Sequence, residues 1–441
     1  MPSRGHGERS EARAVRRRHF LRTTGLAGAG AAGALALTGC GSGDGSADGG
    51  KVTLGLLVAS YDKSVGASIG DQWDDVVRAF EKKHPDIHVE VERVPFLKID
   101  AVLARRVKDG RAPDVAQGHL FAPYAEDHLL YPAERLFDVP TQANFIRSFA
   151  DAGRVDSGQY GIPILASTPR LFYNTGLFER AGLAGPPRSW AELRAAAQAL
   201  KAIGIPTPYA LQFGPEAAED ELLAWLLSGG GGYADLGGYD FGSAENKATL
   251  TWLRDELVGP GLAGAAPGEL TRTQAYAQFL RGRVGMLIAH PVLLGAADKA
   301  RLPYAHAPFP LKEGNEAAPP VGLNDWMMAF RSGGHVEEAG KFLTFLFGTG
   351  SAKTYGGAQA TLPVTVTASD ELRADRSQRK LWKFVDQMPD AEFHPVGLRS
   401  WPKVRSAVRE RIGGAVAPGG NPAQVLEALD QVSPYISPAG D

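Results

Sequence analysis

Strand-like and helix-like segments alternate along the chain from residue 52. Residues 52–59 form a nearly continuous apolar run, which is typical of a strand buried on both faces of a parallel sheet. The segments that follow are helices over 73–80 and 97–107, and strands over 87–94 and 113–116. This succession predicts a doubly wound α/β unit.

A second set of segments begins near residue 161. It comprises strands over 171–174, 282–288 and 323–330, and helices over 189–203, 219–227, 244–258, 275–279, 337–347 and most of 372–429. Ser189 with Glu192 has the spacing of a capping box. Ligands of doubly wound sheets bind beyond the carboxyl ends of the strands. In the first unit, residues 60–63 and 117–121 follow these strand ends.

The N-terminal residues have the pattern of an export signal, with a basic segment, a short Ala/Gly/Leu-rich segment and a small-residue processing site. Arg17-Arg18-x-Phe20-Leu21-Arg22 resembles the twin-arginine export consensus, and Leu37-Thr38-Gly39-Cys40 resembles the bacterial lipobox. Cys40 is the single cysteine of the chain, which excludes an intrachain disulfide. We expect a signal peptide over 1–40, a flexible linker over 41–50, and a lipid on Cys40 that holds the protein at the extracellular face of the cytoplasmic membrane. The twin-arginine and general export routes both stay open.

Composition excludes several other classes. The net charge is −2 and no long basic run occurs, which argues against a nucleic-acid partner. No apolar run after residue 50 approaches the roughly 20 residues of a spanning helix. The scattered histidines lack cysteine partners, so we expect no metal site and no cofactor. Ser68 lies in a Gly-x-Ser-x-Gly string, for which a glycine-rich loop is the favoured interpretation and a secreted hydrolase the alternative.

Several short motifs occur in a fixed order from residue 160 onward. They are Tyr160-Gly161-Ile162-Pro163, Leu171-Phe172-Tyr173-Asn174, Pro187-x-Ser189-Trp190-x-Glu192-Leu193, Gly282-Arg283-x-Gly285-Met286, Leu362-Pro363-Val364 and Met388-Pro389. Together they resemble the extracellular solute-binding proteins of family 1, which include maltose-binding protein and feed ATP-driven importers, mostly for sugars. The resemblance runs from about residue 51 to the end.

The resemblance implies a type II periplasmic-binding-protein-like α/β fold, with two doubly wound lobes joined by a multi-segment hinge. Lobe one would comprise 51–165 with 320–348, and lobe two 166–319 with 349–441. The chain would cross between them near 163–168, 312–322 and 348–357. The implied function is the binding of a mono- or short oligosaccharide by a monomer that delivers it to the permease of an ABC importer, without catalysis.

A sugar needs aromatic planes for its C–H faces and polar groups for its hydroxyls. The candidate ligand-binding residues are Tyr61, Asp62, Lys63, Gln117, His119, Thr168, Glu216, His290, Asn324, Asp325, Trp326 and Trp401. Core packing is the rival interpretation for Trp401, and backbone capping for Thr168. Ordinary polarity of exposed loops is the rival for the residues that follow the first and third strands.

One position departs from the maltose-type pattern. In the maltose-type pattern, a tryptophan lies in the loop that follows the Gly-Lys/Arg-x-Ala-Met motif. In this chain that loop is His290-Pro291-Val292, and Val292 takes the place of the tryptophan. The missing stacking plane predicts a smaller solute than a long maltodextrin, with His290 as a hydrogen-bonding group. A polyamine, a phosphate ester or an iron chelate remains an alternative solute. An alternative role is that of a binding protein that serves as a sensor for a membrane kinase.

Overall fold

Two separate sheets hold most of the strands, and helices cover both. The computed structural model describes residues 51–61, 69–235, 238–348 and 361–432. The strands are β1 (Val52–Ser60), β2 (Ile87–Pro95), β3 (Val115–Gly118), β4 (Arg154–Val155), β5 (Gly158–Gln159), β6 (Ile162–Ser167), β7 (Arg170–Asn174), β8 (Thr207–Tyr209), β9 (Ala234–Asp235), β10 (Gly238–Tyr239), β11 (Val284–Ala289), β12 (Tyr304–Ala307) and β13 (Leu323–Ala329).

Helices connect these strands in the order that the sequence pattern predicts. They are α1 (Ile69–Lys83), α2 (Ile99–Lys108), α3 (Ala122–Glu126), α4 (Ala133–Leu136), α5 (Val139–Ala143), α6 (Arg147–Ala152), α7 (Thr175–Arg180), α8 (Trp190–Ala202), α9 (Ala218–Ser228), α10 (Ala244–Trp252), α11 (Arg272–Leu280), α12 (Val292–Lys299), α13 (Val336–Phe347), α14 (Val366–Ala374), α15 (Trp382–Val385), α16 (Trp401–Val416) and α17 (Pro422–Asp430). Short 3₁₀ turns span Phe96–Lys98, Arg376–Gln378 and Met388–Asp390, and a π-helix, Leu253–Val258, continues α10.

The first sheet has the strand order β2-β1-β3-β13-β6. β1 is parallel to both of its neighbours, whereas β13 is antiparallel to β3 and β6. The apolar run of β1 is buried from Leu56 to Ala59, as expected for a central strand covered on both faces. Because β1 and β3 are parallel, the residues at their carboxyl ends lie at one edge of the sheet.

The second sheet has the order β12-β7-β11-β8. β11 is parallel to β8 and antiparallel to β7, and all of its residues are buried. Helix α8 begins at Ser189, whose hydroxyl accepts from the backbone N–H of Glu192 at 3.3 Å. The predicted capping box is only half formed, since the Glu192 carboxylate accepts from the Arg188 N–H rather than from that of Ser189. The predicted two-lobed α/β architecture is confirmed.

The chain passes from the first sheet to the second directly after β6. Two β6 residues, Leu165 and Ala166, lie opposite the single residue Asn324 of β13, so the strand is bulged there. Leu165 has φ +56°, a left-handed conformation that a leucine seldom adopts. Thr168 and Pro169 then lead into β7, and the segment after β12 returns to β13. Most of the third expected crossing lies outside the described residues.

Candidate functional site

Four polar side chains meet at the carboxyl edge of the first sheet. Tyr61 follows β1, Gln117 and His119 come from the end of β3, and Asp325 lies near the start of β13. The Gln117 amide donates to Asp325 Oδ2 at 2.5 Å and to the Tyr61 hydroxyl oxygen at 2.8 Å. The Tyr61 hydroxyl in turn donates to Asp325. The sequence candidates from three separate segments are thus brought into one hydrogen-bonded group.

Gln117 differs from the expectation of a loop residue. It lies within β3, is fully buried, and its Oε1 accepts from the Ala59 N–H at 3.0 Å. Asp325 is also buried, and burial raises its pKa, although His119, Tyr61 and Gln117 oppose that rise. Gln117 therefore joins two strands and orients the Asp325 carboxylate.

His119 lies between two carboxylates. Its Nδ1 is 3.0 Å from Asp100 Oδ2, and its Nε2 is 3.6 Å from Asp325 Oδ1. The His119 backbone N–H also donates to Asp100 Oδ1 at 2.9 Å. Burial alone would lower the pKa of His119, but Asp100 and then Asp325 raise it above its ordinary value.

Two arginines of the C-terminal segment form ion pairs with carboxylates beside the first sheet. Arg405 of α16 donates to Asp100 Oδ2 at 3.1 Å, and both groups are mostly buried. Arg399 donates to both carboxylate oxygens of Asp127, at 2.7 and 3.2 Å. Ion pairs therefore join the C-terminal segment to residues beside the first sheet.

The second sheet presents a complementary group. Arg272, at the start of α11, donates to Glu216 Oε1 at 3.2 Å and lies 3.4 Å from His290 Nε2. The Ser167 hydroxyl is 2.8 Å from His290 Nδ1. Burial and the Arg272 charge lower the pKa of His290 to about 3, so the imidazole is neutral. An arginine donating to Nε2 fixes the proton on Nδ1, which donates to Ser167.

A small cavity opens between these groups and the crossing. Its volume is about 20 Å³, which is room for a water-sized group. Its lining residues are Pro169, Gln212, Ala217, Asp220, Glu221, Arg272, Ile288 and His290. The cavity lies beyond the carboxyl ends of the parallel strands β8 and β11, where ligands of α/β sheets bind.

Two other candidates, Thr168 and Trp326, lie in packed surroundings in this conformation. Thr168 is fully buried and its hydroxyl donates to the Phe384 carbonyl at 2.7 Å, the capping role that was its alternative. Trp326 is 2% exposed and packs against Phe121 and the Cα of Gly161, where any Cβ would meet its ring at 2.8 Å. Neither side chain faces the cavity.

Trp401 is also packed away from the cavity. It is 2% exposed and stacks on His394, with ring centroids 5.1 Å apart. A solute could contact this indole only if the side chains packed around it moved apart. In this structure Trp401 is a core residue. Asn324 donates to the Asp325 carbonyl at 2.7 Å, beside the bulge of β6.

Some sequence candidates lie outside the described residues, namely Asp62, Lys63, Ser68 and Cys40. Within the described ranges no group of three or more His, Cys, Asp or Glu side chains is arranged to hold a metal ion. No helix in those ranges is both long enough and apolar enough to cross a membrane.

Sequence reasoning missed four charged residues of the cleft, Asp100, Asp220, Arg272 and Arg405. Asp100 and Arg405 lie on helices that the pattern identified only by their apolar faces. Asp220 follows Glu219 and precedes Glu221, a run that looks like the exposed first turn of a helix. The signal that could have found it is the apolar sequence around that run, since α9 is almost entirely buried.

Comparison with known proteins agrees with this geometry. The family model of the bacterial extracellular solute-binding proteins matches residues 65–353. A Brucella abortus protein described as a binding protein is 27% identical over 390 residues, which cover 87% of this chain and 92% of that protein. The sn-glycerol-3-phosphate-binding periplasmic protein UgpB of Agrobacterium fabrum is 25% identical over 280 residues, covering 59% of this chain and 63% of UgpB.

Solved structures share the fold. The cyclic alpha-maltosyl-1,6-maltose binding protein of Arthrobacter globiformis superposes with a TM-score of 0.72 at 20% identity, covering 87% of this chain and 98% of that one. An ABC transporter solute-binding protein of Thermotoga lettingae, bound to alpha-D-tagatose, gives 0.74 at 20% identity, covering 87% and 99%. The family resemblance carried by the sequence motifs is confirmed: the chain belongs to the bacterial extracellular solute-binding protein family.

Proposed function

We propose that this protein binds a mono- or short oligosaccharide in the cleft between its lobes and delivers it to the permease of an ABC importer. The observation that carries the proposal is that each sheet has a polar group beyond its strand ends. Tyr61, Gln117, His119 and Asp325 form the group at the first sheet, and Arg272 with His290 forms the group at the second. Both lobes can then contact one hydroxyl-rich solute. The solute shifts the protein toward the closed form only by binding that form more tightly.

The charges of the cleft favour a neutral solute over a phosphate ester. Arg272 is paired with Glu216, Arg405 with Asp100, and Arg409 with Glu219. An anion would have to compete with these carboxylates for each guanidinium. A phosphate ester is still an alternative to test, because one relative is described as an sn-glycerol-3-phosphate-binding protein. The paired arginines do not favour it.

We propose that lobe one comprises residues 51–165 with 320–348, and lobe two residues 166–319 with 349–441. Asp62 and Lys63 would contact the solute from the loop after β1. The protein would act as a monomer and without catalysis. A micromolar solute would supply about −8 kcal/mol in total, part of which favours closure.

A thermal-shift screen of the full-length C40S variant, which cannot be lipidated, tests the ligand class. The panel contains maltose, D-tagatose, sn-glycerol-3-phosphate and spermidine. A solute that binds only the native state raises the melting temperature by mass action. A shift with a sugar supports the proposal, whereas a shift confined to the phosphate ester or the amine contradicts it. Ester turnover that is lost in S68A would instead support the hydrolase.

We also propose that a lipid on Cys40 anchors the protein at the extracellular face of the membrane. The support is the lipobox-like motif followed by the linker of residues 41–50. Labelling cells with an alkyne-bearing fatty acid should mark the parent protein but not C40S. Equal labelling of the two would contradict the anchor.

A further inference from the structure

Basic side chains gather where the end of α12 meets the segment that follows α14. Asp298 of α12 joins the two, because both of its carboxylate oxygens accept from Lys380 Nζ, at 2.7 and 2.6 Å. The Tyr304 hydroxyl also donates to Asp298 Oδ1, at 3.1 Å. Six exposed basic residues lie within four positions of one end of this ion pair, and we refer to them as the basic surface: Lys299, Arg301, Arg376, Arg379, Lys380 and Lys383.

Most charges of the basic surface have no counterion. Lys380 pairs with Asp298, and Lys383 lies 3.7 Å from Asp386, which Arg373 also contacts at 3.4 Å. Within the described ranges the other four basic residues make no ion pair. Residues 376–383 include no acidic side chain. The surface therefore keeps a net positive charge that is open to an anionic partner.

Arg301 occupies a backbone position that suits glycine better. It has φ +52° and follows the last turn of α12, where the Leu302 N–H donates to the Ala297 carbonyl at 3.0 Å. His128 has the same place after α3, whereas five other helices end in this way with a glycine: Gly110, Gly182, Gly204, Gly230 and Gly282. Glycine is favoured there because a Cβ atom is strained at positive φ. Helix α12 thus carries an unpaired, exposed arginine at the expense of its own stability, which indicates a role outside the fold.

The arrangement fits an extended anionic surface better than a single ion. The six cations belong to two separate segments and are all exposed, so they can meet several phosphates at once. Trp382 lies between Lys380 and Lys383 and is partly exposed, and tryptophan favours the headgroup level of a membrane. The lipid that we propose on Cys40 and the linker of residues 41–50 would hold the body within about 35 Å of a bilayer.

The charge of the rest of the body would favour one orientation. Of the 47 Lys and Arg and the 49 Asp and Glu of the chain, seven and four lie before residue 51, so residues 51–441 carry 40 basic and 45 acidic side chains. An anionic membrane repels such a body as a whole and attracts its basic surface.

We propose that the basic surface docks on an anionic lipid membrane, with its lysines and arginines against the headgroup phosphates. The contact is electrostatic and reversible, and it orients the anchored body relative to the bilayer. It is a second interaction of this protein, in addition to the proposed binding of a solute, and it does not depend on which solute binds.

Vesicle sedimentation of residues 49–441 tests the proposal. These residues form a compact unit separate from residues 1–48 and have their own hydrophobic cores. Leaving out the N-terminal segment removes seven arginines that would bind anionic vesicles by themselves. We expect binding to phosphatidylcholine vesicles that contain about one-third phosphatidylglycerol, and none to phosphatidylcholine alone. Binding should be lost as NaCl rises from about 0.05 to about 0.5 M, because salt screens exposed charges.

Two variants locate the contact on the basic surface. Each basic residue near an anionic membrane contributes about fivefold to binding, so R376Q/R379Q should bind about 25-fold more weakly than the parent. R301G should bind about fivefold more weakly and yet melt at a higher temperature, since glycine relieves the strain at positive φ. R105Q removes an exposed arginine from α2, beside the first sheet, and should bind like the parent.

The opposite results would overturn the proposal. They are equal binding of the parent to both kinds of vesicle, binding to neither, or R376Q/R379Q binding as tightly as the parent. A lower melting temperature of R301G would show that Arg301 serves the fold, which contradicts its part in docking. None of these results bears on solute binding, which the thermal-shift screen measures separately.

Discussion

The guanidinium of Arg405, in α16, lies 3.1 Å from the carboxylate of Asp100, in α2 beside the first sheet. The same oxygen of Asp100 is 3.0 Å from His119 Nδ1. Burial opposes ionisation of Asp100, but His119 and Arg405 keep its pKa below the usual range. The contact therefore joins α16 to the charged groups at the edge of the first sheet.

We predict that R405Q opens the ligand-free protein. The variant removes a charged hydrogen bond that joins α16 to Asp100 beside the first sheet, at a cost to this arrangement of about 2 kcal/mol. Small-angle scattering should show a larger radius of gyration for R405Q than for the parent. R411Q alters an exposed arginine of the same helix and should leave the radius unchanged. Identical curves for R405Q and the parent would contradict the role of Arg405.

The stabilisation by His119 should depend on pH. Because the folded-state pKa of His119 is raised above 6.5, its contribution is fully present below about pH 6.5 and is lost as the pH rises through the folded-state pKa. H119Q should therefore melt below the parent at pH 5.5, and the difference should shrink toward pH 9. Titrating groups that do not contact His119 cancel in this difference. A gap that is constant with pH would refute the prediction.

Leu165 offers a test of backbone strain at the hinge. At φ +56° a Cβ atom is unfavourable, whereas glycine adopts this conformation freely. We expect L165G to be more stable than L165A by about 1 kcal/mol, because both variants lose the leucine packing and only glycine relieves the strain. Denaturant unfolding measures the difference. The ordinary order, with alanine more stable than glycine, would show that no strain is stored there.

Thr168 should be a structural residue. T168V removes the hydroxyl that donates to the buried Phe384 carbonyl, so it should destabilise the fold by about 1–3 kcal/mol. T168S keeps the hydroxyl and should lose less. The affinity for a solute that binds the parent should be the same in T168V within twofold. A large loss of affinity with unchanged stability would instead place Thr168 in the binding site.

The sequence predicted the site residues unevenly. Tyr61, Gln117 and His119 were predicted because polar residues at the carboxyl ends of neighbouring parallel strands lie at one sheet edge. Asp325 was predicted from its place just after the second expected crossing. Arg405 and Asp100 could not be paired in advance, since they are separated by 305 positions and meet only in the tertiary structure. Trp326 and Trp401 are sequence candidates for solute contact, with core packing as the rival interpretation for Trp401, and both are packed in this structure. Side-chain type alone does not distinguish a packed indole from an exposed one.

Local pattern by itself determined the order of strands and helices and hence the α/β class, because apolar spacing reflects which face of each element is buried. It also determined the lipobox-like start, which is a matter of adjacent residues. Tertiary structure alone decided which partner each charge has. Asp220 stands between two acids of the same chemistry, and only the packing of distant segments gives Glu219 its bond from Arg409, Glu221 its bond from Tyr209 and Asp220 its place at the cavity.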